Sequence, residues 1–224
     1  GFATTSCYEK LNIAPPNRIT NDQIQELLKS DPEKAEAIMS SVAAGMVPLF
    51  HEKDIRDMGS ADTRYYNYAD VACMRNLEAN DIAAMGTDLS GSVWGMAEYN
   101  LITVFGEHDD KVPPYWYLCW DNITAANKLL DNLPMSTVGD NKKLKQYRAM
   151  GLVTRAYFYN YLMENFQQAY MLDGQANYDN KLGMMLYTSF DPQQPYKARA
   201  SAAETYDSIL KWSKEAVTLM KEAE

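Results

Sequence analysis

The chain has 224 residues, of which 46% are hydrophobic and 23% charged, and this is enough for one sizeable domain with its own core. Its 21 Lys and Arg face 30 Asp and Glu, which gives a net charge of −9. Because the basic residues are spread along the chain, this balance argues against a nucleic-acid partner and against electrostatic docking on anionic lipid. No run of about 18 apolar residues occurs, so no transmembrane helix is predicted.

The first predicted region covers residues 1–20. Residues 1–6 are mostly small and lead into Cys7, which resembles the end of a signal peptide. Residues 8–20 are polar and contain a Pro-Pro pair, so they predict an extended tether. The helical domain is then predicted over residues 21–224.

Three helices are predicted in the first part of this domain. Residues 21–29 predict a short helix. Asp31 as N-cap and Pro32 at the first helical position predict a second, which runs to about Val47, before Pro48. Residues 67–80 predict a third, since their apolar side chains fall on one side.

Two irregular stretches lie between these helices and the next ones. Residues 51–66 contain Gly and several Asp, and residues 86–114 contain four Gly and end in a Pro-Pro pair. An irregular stretch as long as the second is uncommon within a compact domain and is typical of a binding loop.

The second part of the domain is dominated by three further predicted helices. Residues 115–133 predict a helix with a continuous apolar stripe, and residues 141–167 predict a longer one that is apolar on several faces and therefore buried. Residues 172–199 predict a linker, with residues 182–187 as the best strand candidate. Residues 201–204 form a capping box that begins the last helix.

These elements predict an all-α fold of tetratricopeptide-like antiparallel helix pairs with long irregular loops. The full repeat signature of about 34 residues is not present. Cys73 and Cys119 lie in apolar stretches and are predicted to be small buried residues. The spacing of the three cysteines suggests neither a disulfide framework nor a zinc site, and no metal or cofactor is predicted.

Four segments together resemble the SusD/RagB family of nutrient-binding lipoproteins, and they span nearly the whole chain. In chain order they are Cys7 with Tyr8-Glu9-Lys10-Leu11 and Pro15-Pro16; Trp116-x-x-x-Trp120-x-x-Ile123-x-Ala125-Ala126-Asn127; Gly151-x-x-x-Arg155-Ala156-Tyr157-Phe158-Tyr159 with Leu162 and Phe166; and Arg199-x-Ser201-x-x-Glu204-x-Tyr206-x-x-Ile209 with Ala216. Two departures stand out. Met184-Met185 follows Gly183 where the family usually has Val-Pro, and the C-terminal half of the family is absent from this sequence.

The resemblance implies a lipoprotein of a Bacteroidetes-type bacterium, anchored in the outer membrane by lipid on Cys7 and facing the cell surface. Such a protein captures oligosaccharides, or peptides in some branches, for a TonB-dependent transporter of the SusC type. The resemblance implies no enzymatic activity, no cofactor and no metal.

The candidate ligand-binding residues lie in or beside the two irregular stretches. Trp94 and Tyr99 in the longer stretch, and Tyr65 and Tyr66 in the earlier one, offer aromatic faces on which sugar rings stack. Asn100 offers hydrogen bonds to sugar hydroxyls. The alternative interpretation is that these aromatic side chains anchor the loops to the helices.

Other polar residues have structural interpretations. Arg155 is predicted to be a buried structural residue paired with a carboxylate, and Asn127 is predicted to bind backbone groups of a neighbouring loop. Residues 107–110 predict a solvated acidic turn. His51 and His108 have no nucleophile pattern near them in the sequence.

Two other functions remain open from the sequence. One is a tetratricopeptide-like scaffold that binds a protein segment in a groove. The other is a helical glycosidase, which would require two converging carboxylates with the pKa of one raised.

Overall fold

A computed structural model of the chain describes residues 21–46, 72, 75, 76, 79, 112–167, 171–172, 175–176 and 181–224. These residues contain the helices α1 (Asn21–Ser30), α2 (Pro32–Ala44), α3 (Val112–Asn132), α4 (Met135–Val138), α5 (Lys142–Phe166) and α6 (Ala202–Glu222). An antiparallel pair of two-residue strands, β1 (Met171–Leu172) and β2 (Gln175–Ala176), follows α5. The all-α prediction is confirmed, and the packing of consecutive long helices is compatible with tetratricopeptide-like pairing.

The start of α2 follows from local hydrogen bonding. The Asp31 side chain accepts a hydrogen bond from Lys34 N at 3.2 Å, and Pro32 occupies the first helical position, where its missing N–H has no intrahelical partner. The helix ends at Ala44, earlier than the predicted Val47, with Gly45 as its C-cap. The predicted helix over residues 67–80 falls on a segment of which only four residues are described.

Helix α3 begins three residues earlier than predicted, because it includes the Pro113-Pro114 pair that the sequence analysis placed in the irregular stretch. The first N–H groups of a helix have no intrahelical acceptor, so two prolines in the first turn remove no helical hydrogen bond. The Pro113-Pro114 pair therefore lies in the first turn of α3 and does not end the irregular stretch before it.

The turn between α3 and α5 contains the short helix α4. Gly139 follows α4 with a φ of 48°, a backbone conformation that favours glycine. Asn141 then caps α5, because its side chain accepts a hydrogen bond from Leu144 N at 3.0 Å. These local features confirm the turn that the sequence predicts between the two long helices.

Helix α5 lies at the centre of the fold and packs against both α3 and α6. It is buried on several faces, as predicted, and Gly151 allows close approach to α3. A Cβ at position 151 would lie 3.0 Å from Leu130 Cγ. The larger core cluster includes Tyr115, Leu118, Ile123, Leu152, Phe158, Tyr159, Leu162, Met163, Ile209, Trp212 and Leu219.

A second core cluster joins α2 to the opposite end of α3 and α5. Met39 and Ala43 of α2 pack with Leu129, Leu133 and Leu144 in this cluster. Within the described part of the chain, no helix has both the length and the hydrophobicity needed to cross a membrane.

The strand predicted over residues 182–187 is wrong. Leu182 forms a single antiparallel bridge with Ser201, and the residues after it are extended without forming a strand. Gly183 N donates to Ala200 O at 2.6 Å and Ala200 N donates to Met184 O at 3.0 Å. Before Ala200 the opposite segment contacts this one through side chains: Arg199 Nε donates to Gly183 O at 2.7 Å and Lys197 Nζ donates to Leu186 O at 2.9 Å, so no backbone ladder continues between these described residues.

Helix α6 begins with the predicted capping box. Ser201 Oγ accepts a hydrogen bond from Glu204 N at 3.1 Å, and a Glu204 carboxylate oxygen accepts one from Ser201 N at 2.8 Å. The two hydrogen bonds satisfy N–H groups that have no partner within the helix. This confirms that the four-residue pattern marks the start of the last helix.

Candidate functional site

The site residues predicted from the sequence lie outside the described residues. This holds for the lipidation candidate Cys7 and for the ligand-binding candidates Tyr65, Tyr66, Trp94, Tyr99 and Asn100. It holds also for Cys73, both histidines and the acidic segment 107–110. These assignments stay predictions. The structure describes the helices α3, α5 and α6 and the segment after residue 181, which together are called the helical frame below.

One end of this frame carries a cluster of aromatic rings. Trp116 and Trp120 lie one helical turn apart on α3, with ring centroids separated by 5.6 Å. The Trp116 ring meets Phe166 of α5 edge-on at 5.2 Å, and the Trp120 ring meets Tyr159 and Tyr187 at 5.8 and 5.7 Å. Both tryptophans are half-buried, so the cluster joins α3, the C-terminal half of α5 and the extended segment after residue 181.

A buried arginine lies beside this cluster. Arg155 is only 6% exposed, and its Nη1 donates hydrogen bonds to Asn127 Oδ1 at 3.2 Å and to Thr188 O at 3.1 Å. Its guanidinium lies 4.3 Å from the centre of the Trp212 ring on α6. Burial lowers the pKa of Arg155 to about 10, because removal from water disfavours the charged form.

The prediction that Arg155 pairs with a carboxylate is wrong: within the described part of the chain, no carboxylate contacts its guanidinium. Glu215 instead forms an ion pair with Arg148, with its Oε1 2.6 Å from Nη2. Asp131 Oδ2 accepts a hydrogen bond from Phe190 N at 2.7 Å, and burial raises the pKa of its carboxyl. Both carboxylates favour the Arg155 charge from a distance, whereas an amide, a carbonyl and an indole ring contact it directly.

Asn127 has the role predicted for it. Its Nδ2 donates to Tyr187 O at 2.9 Å while its Oδ1 accepts from Arg155, so the amide connects the buried arginine to the backbone of the extended segment. Tyr159 adds a second connection. Its hydroxyl accepts a hydrogen bond from Tyr187 N at 2.8 Å and donates to Met185 O at 2.9 Å, and burial raises the pKa of this phenol.

The extended segment closes on itself to form a loop, residues 187–197, which is called the clasp loop below. The hydroxyl of Tyr187 accepts a hydrogen bond from Lys197 N at 3.0 Å, and Lys197 Nζ donates to Leu186 O at 2.9 Å. The Lys197 ammonium also lies 5.2 Å from the centre of the Tyr187 ring. The two ends of the clasp loop are therefore joined through side chains.

The tip of the clasp loop is a hydrogen-bonded turn. Gln193 N donates to the Asp191 side chain at 2.8 Å, and Gln194 N donates to Asp191 O at 3.0 Å. Tyr196 is completely exposed, and Phe190 is 41% exposed with the Lys128 ammonium 4.3 Å from the centre of its ring. The sequence predicts a linker here, although the two aromatic residues beside the Pro-Gln-Gln-Pro run indicate an ordered loop.

Metal binding gains no support from the described side chains, which contain no cluster of three or more His, Cys, Asp or Glu able to hold an ion. The thiol of Cys119 is free and buried, as predicted, and burial raises its pKa. Cys119 therefore behaves as a core residue of α3.

A family model described as "starch-binding associating with outer membrane" matches residues 21–224 of the chain. The chain belongs to the SusD-like family. No curated protein and no solved structure matches it. In this SusD-like chain, the motif residues that carry the family resemblance have packing roles: Gly151 allows α3 and α5 to approach, Asn127 and Arg155 hold the clasp loop, and Ser201 with Glu204 begins α6.

Proposed function

We propose that this SusD-like protein captures nutrient oligosaccharides at the outer-membrane surface for import through a TonB-dependent transporter of the SusC type. The observation that carries the proposal is the family match over residues 21–224, whose description names starch binding and the outer membrane. The helical frame includes a loop with the exposed aromatic side chains Phe190 and Tyr196, which is consistent with this role. Peptide ligands are the alternative class within the same role.

The proposal is for a binding protein without catalytic activity. Hydrolysis of a glycoside requires two carboxyl groups on opposite sides of the bond, one of them with a raised pKa. Asp131 is a described acidic residue whose carboxyl pKa is raised by burial, and its carboxylate accepts a hydrogen bond from the backbone of Phe190. This contact gives Asp131 a structural role, which supports binding over hydrolysis.

The proposal includes attachment to the membrane through lipid on Cys7. Thioether-linked diacylglycerol together with an N-terminal acyl chain would hold the protein stably, whereas a single chain gives marginal binding. Metabolic labelling with a fatty-acid analogue tests this step. Wild-type protein is expected to be labelled and to sediment with the outer membrane, whereas a Cys7→Ser variant that remained labelled would exclude Cys7 as the lipidation site.

The proposed ligand contacts in the irregular stretches are Trp94, Tyr99 and Asn100, together with Tyr65 and Tyr66. The aromatic rings would stack on the apolar faces of sugars, and the amide would bind their hydroxyls. Alanine substitution of Trp94 and Tyr99 is expected to weaken binding to the native glycan. Unchanged affinity would instead indicate that these rings anchor the loops.

The experiment that tests the transport role is a pull-down of the tagged full-length protein from its own bacterium after gentle solubilisation of the outer membrane. A large β-barrel transporter is expected to co-purify in near-equal amount. Soluble protein partners without a barrel would contradict the proposal and would favour a tetratricopeptide-like scaffold.

A further inference from the structure

Two aromatic rings of the clasp loop, Phe190 and Tyr196, are exposed to solvent and make few packing contacts with the described part of the fold. Tyr196 is fully exposed, with a relative exposure of 102%, and it has no hydrogen bond or ring contact within the described part of the chain. Phe190 is 41% exposed, and its ring contact is with the ammonium of Lys128. Because burial of an aromatic side chain stabilises a fold, a ring left in water contributes little to stability.

The clasp loop holds these rings in a preformed arrangement. Its ends are joined by the Lys197 N to Tyr187 hydroxyl hydrogen bond, and its first half is fixed to α3 and α5 through Asp131 and Arg155. Pro192 lies at the second position of the turn and Pro195 follows it directly, and both restrict the backbone. A loop with few accessible conformations loses little entropy when a ligand binds.

The polar groups at the tip of the loop suit a neutral ligand rich in hydroxyl groups. The Gln193 and Gln194 side chains each carry an amide with two N–H donors and one oxygen acceptor, and neither amide has a hydrogen-bond partner within the described residues. Asp191 and Lys197 are the only charged residues of the loop, and their charges cancel. The loop therefore has no net charge with which to attract a nucleic acid or a strongly charged peptide.

We propose that the clasp loop is a carbohydrate-binding surface, in which Tyr196 and Phe190 contact the apolar faces of sugar rings and the Gln193 and Gln194 amides bind hydroxyls. The ligand class is a neutral oligosaccharide. This inference rests on the proposed function, and it assigns the ligand a contact region separate in sequence from the two irregular stretches.

Isothermal titration calorimetry on the full chain tests the proposal, with maltooligosaccharides, xylan oligosaccharides and mannan oligosaccharides as probes. Tyr196→Ala is expected to weaken the binding of the preferred glycan about 10-fold, the scale for loss of one aromatic contact. Tyr196→Phe keeps the ring and is expected to bind within about 2-fold of wild type. Tyr157→Ala is a control outside the loop, because this tyrosine is 41% exposed on α5; its ring packs on Phe158 and Tyr161, so circular dichroism checks that this variant is folded.

The possible outcomes separate the two proposals. If wild-type protein binds a glycan and Tyr196→Ala binds it equally well, the clasp-loop proposal is overturned while the proposed function stands. If wild-type protein binds none of the neutral glycans, the clasp-loop proposal and the oligosaccharide part of the proposed function are both overturned, and the pull-down decides whether the transport role stands with a peptide ligand. If Tyr196→Ala retains glycan binding but no longer co-purifies with the transporter, the loop is a protein contact and the carbohydrate assignment is wrong.

Discussion

Alanine at position 183 is expected to destabilise the fold strongly, because Gly183 lies against the start of α6. A Cβ at this position would overlap the hydroxyl of Thr205 and the carbonyl oxygen of Ser201, and it would lie 2.9 Å from the carbonyl carbon of Ser201. Backbone atoms cannot rotate away as a flexible side chain can, so the extended segment must move off the helix.

The cost follows from the contacts that this movement breaks. Gly183 N donates to Ala200 O at 2.6 Å, Ala200 N donates to Met184 O at 3.0 Å, and Met184 N donates to Thr205 Oγ1 at 3.1 Å. A net loss of about 1 kcal/mol for each of these three hydrogen bonds, with about 1–3 kcal/mol for overpacking, predicts a destabilisation of about 4–6 kcal/mol.

Urea unfolding followed by circular dichroism measures this difference as a shift in midpoint. Gly45→Ala is the control, because its Cβ would meet Val42 O and Ser41 O at 3.4 and 3.5 Å, which are ordinary contacts. Its stability is expected to be unchanged or slightly raised. Adding Thr205→Ala to Gly183→Ala removes one overlap and leaves the other with the Ser201 carbonyl, so rescue should be partial. A Gly183→Ala protein within about 0.5 kcal/mol of wild type would refute this account of the segment's packing.

Three further predictions concern the core and the start of α6. Arg155→Ala should destabilise the protein by about 2–3 kcal/mol, since it leaves Asn127 Oδ1 without its hydrogen-bond donor and opens a cavity beside Trp212; an unchanged urea midpoint would contradict this. The Ser201 backbone N–H and hydroxyl hold the pKa of Glu204 below its ordinary value of 4.5. Because this folded-state pKa is depressed, the stabilisation is present above pH 4.5 and is lost as the pH falls through the folded-state pKa. Thermal midpoints measured across this range should therefore fall less steeply for Glu204→Gln than for wild type, and parallel curves would argue against it. The Cys119 thiol should resist alkylation in the folded protein and react only in urea, which mass spectrometry of its peptide can check; rapid labelling of folded protein would show that the α3 core is open.

The candidate site could be predicted from the sequence only in part. The motif Asn127 was correctly interpreted as a partner of loop backbone, because a polar residue on an apolar helix stripe needs a hydrogen bond. The exposure of the Phe190 and Tyr196 rings could not be predicted, because a polar segment rich in Pro and Gln is typical of a linker. The segment forms a closed loop because Lys197 N donates to the Tyr187 hydroxyl. These residues lie ten positions apart, and no local sequence pattern predicts their contact.

Features determined by the sequence alone are those whose hydrogen bonds close within one helical turn. Asp31 caps α2 through Lys34, and Ser201 caps α6 through Glu204, so both starts can be read from a few adjacent residues. The family motifs belong to the same level, because their order and spacing are properties of the sequence. These local signals were sufficient for the fold class and for the family.

Tertiary structure alone decided the roles of residues whose partners are distant in the chain. Arg155 binds Asn127, 28 residues away, and Thr188, 33 residues away, and no local pattern distinguishes these partners from a carboxylate. Gly183 must be glycine because α6 returns to within contact of it, which only the packed fold brings about. A short-range rule can predict where a helix begins, but the contacts of a buried side chain depend on which segments the core brings together.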